Sequence, residues 1–341
     1  MVDLEFVNGI RTVLAVPNKI VITAHTNPDG DAIGSSLALC LILEKLGHNV
    51  DVVVANSFPN FLNWMPSIDR ILIHESQTAV VKQTFEQAEI IFCLDYNTIA
   101  RSGSIKDLLF NSKAIFILID HHQEPELQPF TYYFSDTSIS STSEMVYQLI
   151  CSLGAKELID KDIASCLFTG IMTDTGSFSH GIANASTFYA VADLIEAGLI
   201  AAEVHKKVYH SMTESRFRLM GFSINDRLQI IEKYNTAIIV LTKTDLLNFD
   251  YQIGDTEGFV NLPLSIDSIK LSILITEKKD HIHLSLRSKG TFSVNDMARK
   301  HFNGGGHINA AGGRIYASLQ QSIDDIIAIL PEFEAQLTNE I

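Results

Sequence analysis

Basic side chains are scarce in this sequence. Its 341 residues carry 25 Lys and Arg against 40 Asp and Glu, a formal net charge of −15. A surface that tracks the phosphates of duplex DNA needs clustered cations, so duplex DNA is excluded as a partner. A short nucleotide held by a metal and a few basic side chains is not excluded, and part of the negative charge fits metal ligands. Cysteine is also sparse. Cys40, Cys93, Cys151 and Cys166 lie far apart, three of them in apolar runs, with no CxxC pair. They read as reduced core residues and not as a disulfide framework. The first residues lack a basic stretch followed by an apolar core, so no signal peptide is expected. No apolar run is long enough to span a bilayer. These absences point to a cytoplasmic protein without a membrane partner. Neither an internal repeat nor a low-complexity segment is present.

The length suffices for two domains with proper cores, and the 46% apolar share is ordinary for a soluble globular protein. Through the first half, apolar runs of strand length alternate with helical patterns. Residues 21–25, 50–54, 90–95, 115–120 and 130–134 read as buried parallel strands, and residues 31–46 as the first helix between them. The alternation implies an α/β doubly wound domain. Helical patterns follow at 143–153, 160–172 and 187–197, and a polar–apolar stretch at 203–232 reads as helix bridging two domains. From residue 236 the texture changes. Strands are expected at 237–241, 269–276, 281–286 and 314–317, the middle two forming a hairpin, with helices near 294–302 and at the end. The domains so expected are 1–200, a helical linker at 201–232, and a smaller α/β unit at 233–341.

Three of the expected strands, 21–25, 91–95 and 117–122, end in Asp or His. In an open parallel sheet the ligand crevice lies outside the carboxyl ends of the strands. Ligand-capable side chains there converge, and Asp with neutral His suits Mn²⁺ or Mg²⁺. A metal-dependent hydrolase is the chemistry this favours. The first cluster is His25, Asp29 and Asp31 in HTNPDGDAIGS, where Pro28 and Gly30 make a tight turn. If residues 29–31 are extended, both carboxylates lie on one side and serve adjacent metals. The plainer alternative makes Asp31 an N-cap and Asp29 a turn residue. Asp95 follows IIFCL and is placed to bridge two ions; capping of the next turn is its alternative. Asn97 and Arg101 follow, with a reach toward phosphate set against ordinary surface roles. Asp120, His121 and His122 end the third strand. Adjacent strand residues point to opposite sides, so one histidine binds metal and the other faces substrate or a supporting partner. Asp174, in GIMTDTGSF, completes the set or merely ends a helix. In the second unit, Arg287, Ser288 and Lys289 close a strand. Gly304, Gly305, Gly306 and His307 follow a helix. Successive glycines let amides approach an anion, Arg287 grips phosphate with a planar fork, and a flexible loop is the alternative.

In this order the motifs resemble the DHH phosphoesterase family, with its DHH-associated domain at the C-terminus. The resemblance covers nearly the whole chain and is nearest to the type that degrades nano-oligoribonucleotides and removes phosphate from 3′-phosphoadenosine-5′-phosphate (pAp). It implies two Mn²⁺ ions, with Mg²⁺ or Co²⁺ as substitutes. His25, Asp29 and Asp95 would hold one ion; Asp31, Asp95, His121 and Asp174 the other. A bridging water would become the attacking hydroxide. His122 and Asp120 would be the catalytic residues beside substrate. Arg287, Ser288, Lys289, residues 304–307 and Arg101 would bind its phosphates across an interdomain cleft, with 203–232 as hinge. RecJ-like single-strand exonucleases carry further domains for long DNA. Family II pyrophosphatases use a lysine-rich C-terminal motif not seen here, and an exopolyphosphatase-like activity rests on the shared core alone. A catalytically silent nucleotide sensor is the remaining alternative, since fold does not fix function. Preference among short single-stranded RNA, pAp and pApA, the direction of attack and the assembly, homodimer included, stay open.

Overall fold

The computed structural model describes residues 2–179 and 181–338. The chain forms two compact units that divide between Ser211 and Met212. The first contains α1 (Leu4–Val13), β1 (Lys19–Thr23), α2 (Gly30–Lys45), β2 (Asn49–Val54), β3 (Leu72–Ile73), α3 (His74–Gln87), β4 (Ile90–Leu94), α4 (Lys106–Asn111), β5 (Ile115–Asp120), β6 (Tyr132–Ser135), α5 (Thr142–Leu153), α6 (Lys161–Asp174), α7 (Ala185–Glu196) and α8 (Ala201–Tyr209). Among the described residues its sheet has six strands in the order β3-β2-β1-β4-β5-β6, every pair parallel. The order reverses between β1 and β4, which makes their carboxyl ends the switch point of a doubly wound sheet.

Both faces of the sheet are covered, which explains its unbroken Val/Ile/Leu runs. Ile20, Ile22, Phe92, Leu94, Ile117 and Ile119 pack with residues of α2, α5 and α6. The alternate residues Val21, Ile91, Cys93 and Leu118 pack with Val81 and Phe85 of α3 and Leu109 of α4. Helix α2 lies close against α6, because a Cβ at Gly34 would stand 2.5 Å from the Cys166 carbonyl oxygen and 3.0 Å from the Gly170 nitrogen.

The second unit holds α9 (Glu214–Asn225), β7 (Leu228–Ile231), β8 (Thr236–Leu241), α10 (Lys243–Asn248), β9 (Leu271–Glu277), β10 (Ile282–Ser288), α11 (Val294–His301), β11 (Gly305–His307), β12 (Ala310–Ile315), α12 (Leu319–Ile329) and α13 (Glu334–Thr338). Its sheet runs β11-β12-β10-β9-β8-β7 and is mixed, with β8 and β9 parallel and β9–β10 an antiparallel hairpin. One face packs under α11 and α12 through Leu284, Leu286, Met297, Phe302 and Ile326. Part of the other carries Leu219, Phe259 and Val260 over Ile239, Leu241 and Leu274.

The stretch 203–232 is not one bridging helix. It is broken where the Thr213 hydroxyl accepts from Arg216 N–H and starts α9 anew. Helix α9 belongs to the second unit, since Leu219 enters that core and the Arg216 guanidinium donates to the Asp255 and Glu257 carbonyls. The division therefore falls earlier in the chain than residue 232. The strand expected at 314–317 is Ala310–Ile315, and the glycine run forms the short strand β11. Among the described residues no single helix is long and apolar enough to cross a membrane.

Gly34→Ala isolates the α2–α6 contact. Helix propensity favours Ala by about 1 kcal/mol, but the new methyl must push apart two backbones at a cost of about 1–3 kcal/mol. We expect a Tm lower by a few degrees (thermal unfolding by circular dichroism); a raised Tm would show that the helices separate freely.

Candidate active site

The local chain explains how each side chain arrives. Asp95 leaves β4 with φ of +64°, a left-handed backbone that Asp tolerates better than most residues. Its N–H donates to the Ile119 carbonyl at 3.1 Å, tying the end of β4 to β5. Asp29 caps α2: its Oδ1 accepts from Asp31 N–H and Ala32 N–H, both at 3.0 Å. This reverses the capping alternative read from sequence, because Asp29 alone is extended while Gly30 and Asp31 are already helical. The Asp31 carboxylate instead accepts two amides from the first turn of α5, Thr142 N–H to Oδ2 at 2.7 Å and Ser143 N–H to Oδ1 at 2.9 Å. A carboxylate at a helix N-terminus is favoured by the orphan amides and the dipole.

These side chains meet around Asp95. His25 Nε2 lies 3.4 Å from Asp95 Oδ2 and 3.8 Å from Asp29 Oδ2. His121 Nε2 lies 3.5 Å from Asp95 Oδ1, 3.4 Å from Asp174 Oδ2 and 3.9 Å from Asp31 Oδ2. Among the described residues, three groups formed wholly within the first unit bring ligand atoms within 4.8 Å of one another: His25, Asp29 and Asp95; Asp31, Asp95 and His121; Asp95, Asp120 and His122. Asp95 is common to all three. The other nitrogen of His25 contacts the Thr26 carbonyl at 2.8 Å, and that of His121 the Ile139 carbonyl at 3.3 Å. Such carbonyl contacts fix an imidazole so that Nε2 faces an ion. His122 is held differently. Its Nδ1 pairs with Asp120 Oδ1 at 2.7 Å and its amide donates to Asp120 Oδ2 at 3.1 Å.

The electrostatics follow from crowding. Burial pushes the Asp31 carboxyl well above its usual range, and Asp95 and Asp174 add to this. Asp120 is raised to about 6 by burial and then by Asp95. Burial also opposes charge on Asp95, yet His121, His25 and His122 outweigh it and hold the carboxylate well below its usual range. Burial lowers His25, but Asp29 and Asp95 reverse this and raise it to about 10. His122 is held well below the usual imidazole value by burial and then by Arg101. Arg101 therefore acts on the His122 side of the cluster. Asn97 is buried, not a surface residue, and donates to the Gln123 carbonyl at 2.7 Å.

The second unit carries the other expected residues. Arg287 stands on β10 facing away from the Leu284–Leu286 core. Ser288 points the opposite way; its hydroxyl donates to the Phe292 carbonyl and accepts from Asn309. Lys289 donates to the Ile266 carbonyl at 2.9 Å. The glycines act in packing. A Cβ at Gly304 would stand 1.9 Å from the Gly312 oxygen, and one at Gly306 2.3 Å from the Ala310 oxygen. The amides of Gly304 and Gly306 donate to the Ala298 carbonyl and to Asn295 Oδ1, so these two are engaged within the fold. His307 pairs with Ala310 across β11 and β12.

Three contributors escaped the sequence reading. Thr142 gives an amide to Asp31, and its hydroxyl donates to Asp95 Oδ1 at 3.0 Å. Gly170 leaves room for Ser143 and Asp31, since a Cβ there would stand 2.0 Å from Ser143 Oγ and 2.5 Å from Asp31 Oδ1. Glu144 is fully buried and accepts from the hydroxyls of Ser140, Ser186 and Thr187, anchoring the turn that carries those amides. The signal was present in SSTSE, a capping pattern ahead of an apolar run.

With this geometry in view, similarity to known proteins becomes informative. The model for the DHH family, N-terminal domain, matches residues 19–171, and that for the DHHA1 domain matches residues 230–336. The chain is 29% identical over 329 residues to the bifunctional oligoribonuclease and PAP phosphatase NrnA of Bacillus subtilis, covering 95% of this chain and 96% of that one. An exopolyphosphatase-related protein from Bacteroides fragilis superposes with a TM-score of 0.93 at 38% identity, over 99% of both chains. RecJ from Thermus thermophilus, solved with Mn²⁺, gives a TM-score of 0.56 at 13% identity over 99% of this chain and 55% of that one, which shows a shared fold alone. The two domain models lie in this order, and a relative of that identity matches almost from end to end, so the chain belongs to the DHH phosphoesterase family.

Proposed function

We propose that the protein is a metal-dependent phosphoesterase that hydrolyses short single-stranded oligoribonucleotides and pAp, with two Mn²⁺ ions as its working cofactors. The observation that carries this reading is the sharing of Asp95 by the three ligand groups. The donor set fits such ions: buried carboxylates and imidazoles, with Asp31 and Asp95 facing histidines and helix donors instead of Lys or Arg. His25, Asp29 and Asp95 would hold one ion, and Asp31, Asp95, His121 and Asp174 the other. When bound, the ions would supply an activated water at neutral pH and charge stabilisation at phosphorus.

The chain's own residues supply the rest. Asp120 fixes the His122 ring and presents its Nε2 side to substrate. Arg101 adds positive charge on that side. Arg287 and His307 would take the phosphate of the nucleotide from the second unit, Arg287 as a charged fork. The substrate class comes from the name of the Bacillus subtilis relative. The name of the Bacteroides fragilis structure makes phosphate-anhydride hydrolysis a second reading.

A side-by-side panel with Mn²⁺ separates these readings: pAp, pApA, an RNA ladder, pyrophosphate and polyphosphate. We expect the highest kcat/KM at a few nucleotides. Better turnover of long strands would favour a RecJ-like enzyme, and turnover of pyrophosphate or polyphosphate alone the second reading.

Asp95→Ala tests the centre. Turnover should be lost and bound Mn²⁺, measured by elemental analysis, should fall. Mn²⁺ should raise the Tm of the wild type by mass action and leave that of the variant unmoved. Normal metal content with normal activity would remove Asp95 from the site.

Arg287→Ala tests the division of labour. Charge-assisted hydrogen bonds contribute about 1.5–3 kcal/mol each, so kcat/KM on pAp should fall about ten- to a hundredfold. Bound Mn²⁺ should stay at the wild-type level. Loss of metal, or wild-type kinetics, would contradict the assignment.

A further inference from the structure

The second sheet carries a cationic cluster that the reading above does not use. Along β10, Ile282, Leu284 and Leu286 enter the core, so His283, Ser285 and Arg287 share the other face. Strand pairing sets Arg314 of β12 beside His283 on one side and Thr276 of β9 on the other. Lys278, two residues past Thr276, reaches the same end; its Nζ lies 3.3 Å from Tyr251 Oη and 4.8 Å from that ring's centroid. Burial pushes the His283 ring down to about 4, and Lys278, His281 and Arg314 add to this. Of the neighbouring acids, Asp280 is engaged with His281 Nδ1 at 2.8 Å and Glu277 with Lys243 Nζ at 3.6 Å. Tyr316, two residues beyond Arg314, is 68% exposed with its ring 6.2 Å from that of His281.

An exposed aromatic beside cations is the surface on which single-stranded nucleic acids stack and pair their phosphates. An anion without a base would use the cations and leave Tyr316 idle. The lane back to Arg287 is low on its β12 side, while on the β9 side Leu274 lies under Phe259 and Val260. Ser285 pairs with Gly312, where a Cβ would meet only the Leu284 oxygen at 3.6 Å. Four residues of strand separate Arg287 from His283, about 13 Å at 3.3 Å per residue. A mononucleotide anchored at Arg287 falls short of that end, and an oligonucleotide reaches it.

We propose that Arg314, Lys278 and Tyr316 form a distal subsite for an inner nucleotide of a short single-stranded oligonucleotide whose end phosphate is held at Arg287. This deepens, and rests on, the substrate class proposed above. The test uses the full Mn²⁺-loaded chain as wild type, Arg314→Ala and Tyr316→Ala. Binding of a fluorescent phosphorothioate-linked tetranucleotide RNA is read by anisotropy, and steady-state kinetics are run on the ordinary tetranucleotide and on pAp. Each variant should weaken tetranucleotide binding about tenfold, through KM and not kcat, while pAp kinetics stay unchanged. The salt dependence of binding should become shallower in Arg314→Ala. Unchanged RNA affinity in both variants, or equal losses on RNA and pAp, would overturn the subsite. Loss in Arg314→Ala alone would overturn its assignment to a nucleotide in favour of a bare phosphate site. Wild type that binds the RNA in a variant-dependent way but turns over neither substrate would sink the proposed reaction and leave the subsite standing. No RNA binding by the wild type would sink the subsite, whatever happens to pAp.

Discussion

Several carboxylates and imidazoles share one buried volume around Asp95, and everything near the switch point of the first sheet serves to keep them there. Like charges in a poorly solvated space cannot all ionise. The directions of their shifts show the resulting compromise: Asp31 and Asp120 are pushed toward the neutral acid, while Asp95 keeps its charge by drawing on His25, His121 and His122. A hydrophobic core gains nothing from such a cluster. A bound cation would resolve it, because positive charge at the centre turns mutual repulsion into attraction.

The fold holds this arrangement through backbone more than through side-chain partners. The end of β4 is fixed by its left-handed turn and by the Asp95 N–H bond to β5. Asp31 is fixed by two amides of α5. Those amides are in reach because α2 and α6 approach without side chains between them at Gly34 and Gly170. Buried Glu144 then anchors the turn before α5 to the start of α7 through Ser186 and Thr187. Packing and electrostatics are thus one constraint: a methyl group at Gly170 would strike Ser143 and Asp31 together.

The parts legible in the sequence were those with a strong local signature. β1, β4 and β5 are short apolar runs buried on both faces, and such runs by themselves mark Asp95 and Asp120–His122 as strand-end residues. The α2 start was legible from Pro28, Asp29 and Gly30, but not which Asp caps it, since either carboxylate can reach an early amide. β3 was invisible because Leu72 and Ile73 make only two residues of strand, leaning on β2. The break before α9 was missed because apolar periodicity continues through residues 203–232 while Thr213 restarts the helix. The roles of Gly170 and the Thr142 amide depend on α2, α5 and α6 meeting. No local window contains that information.

A chain with a formal charge of −15 would seem a poor receptor for a polyanion. Net charge governs long-range attraction, but screening limits that to about 8 Å at physiological salt. Within that range the local arrangement decides. In the first unit the negative groups are concentrated on a centre suited to cations, so the bound site need not repel phosphate. In the second, Arg287, Arg314 and Lys278 lie along one face of β9, β10 and β12, with Ser285 and Gly312 between them, while Glu277, paired with Ile282, is engaged by Lys243. Acids exposed elsewhere on the surface would disfavour long nucleic acids that extend beyond this face. An acidic surface with a local basic lane would therefore select by length: a short strand would fit within the lane, and each further nucleotide would meet repulsion.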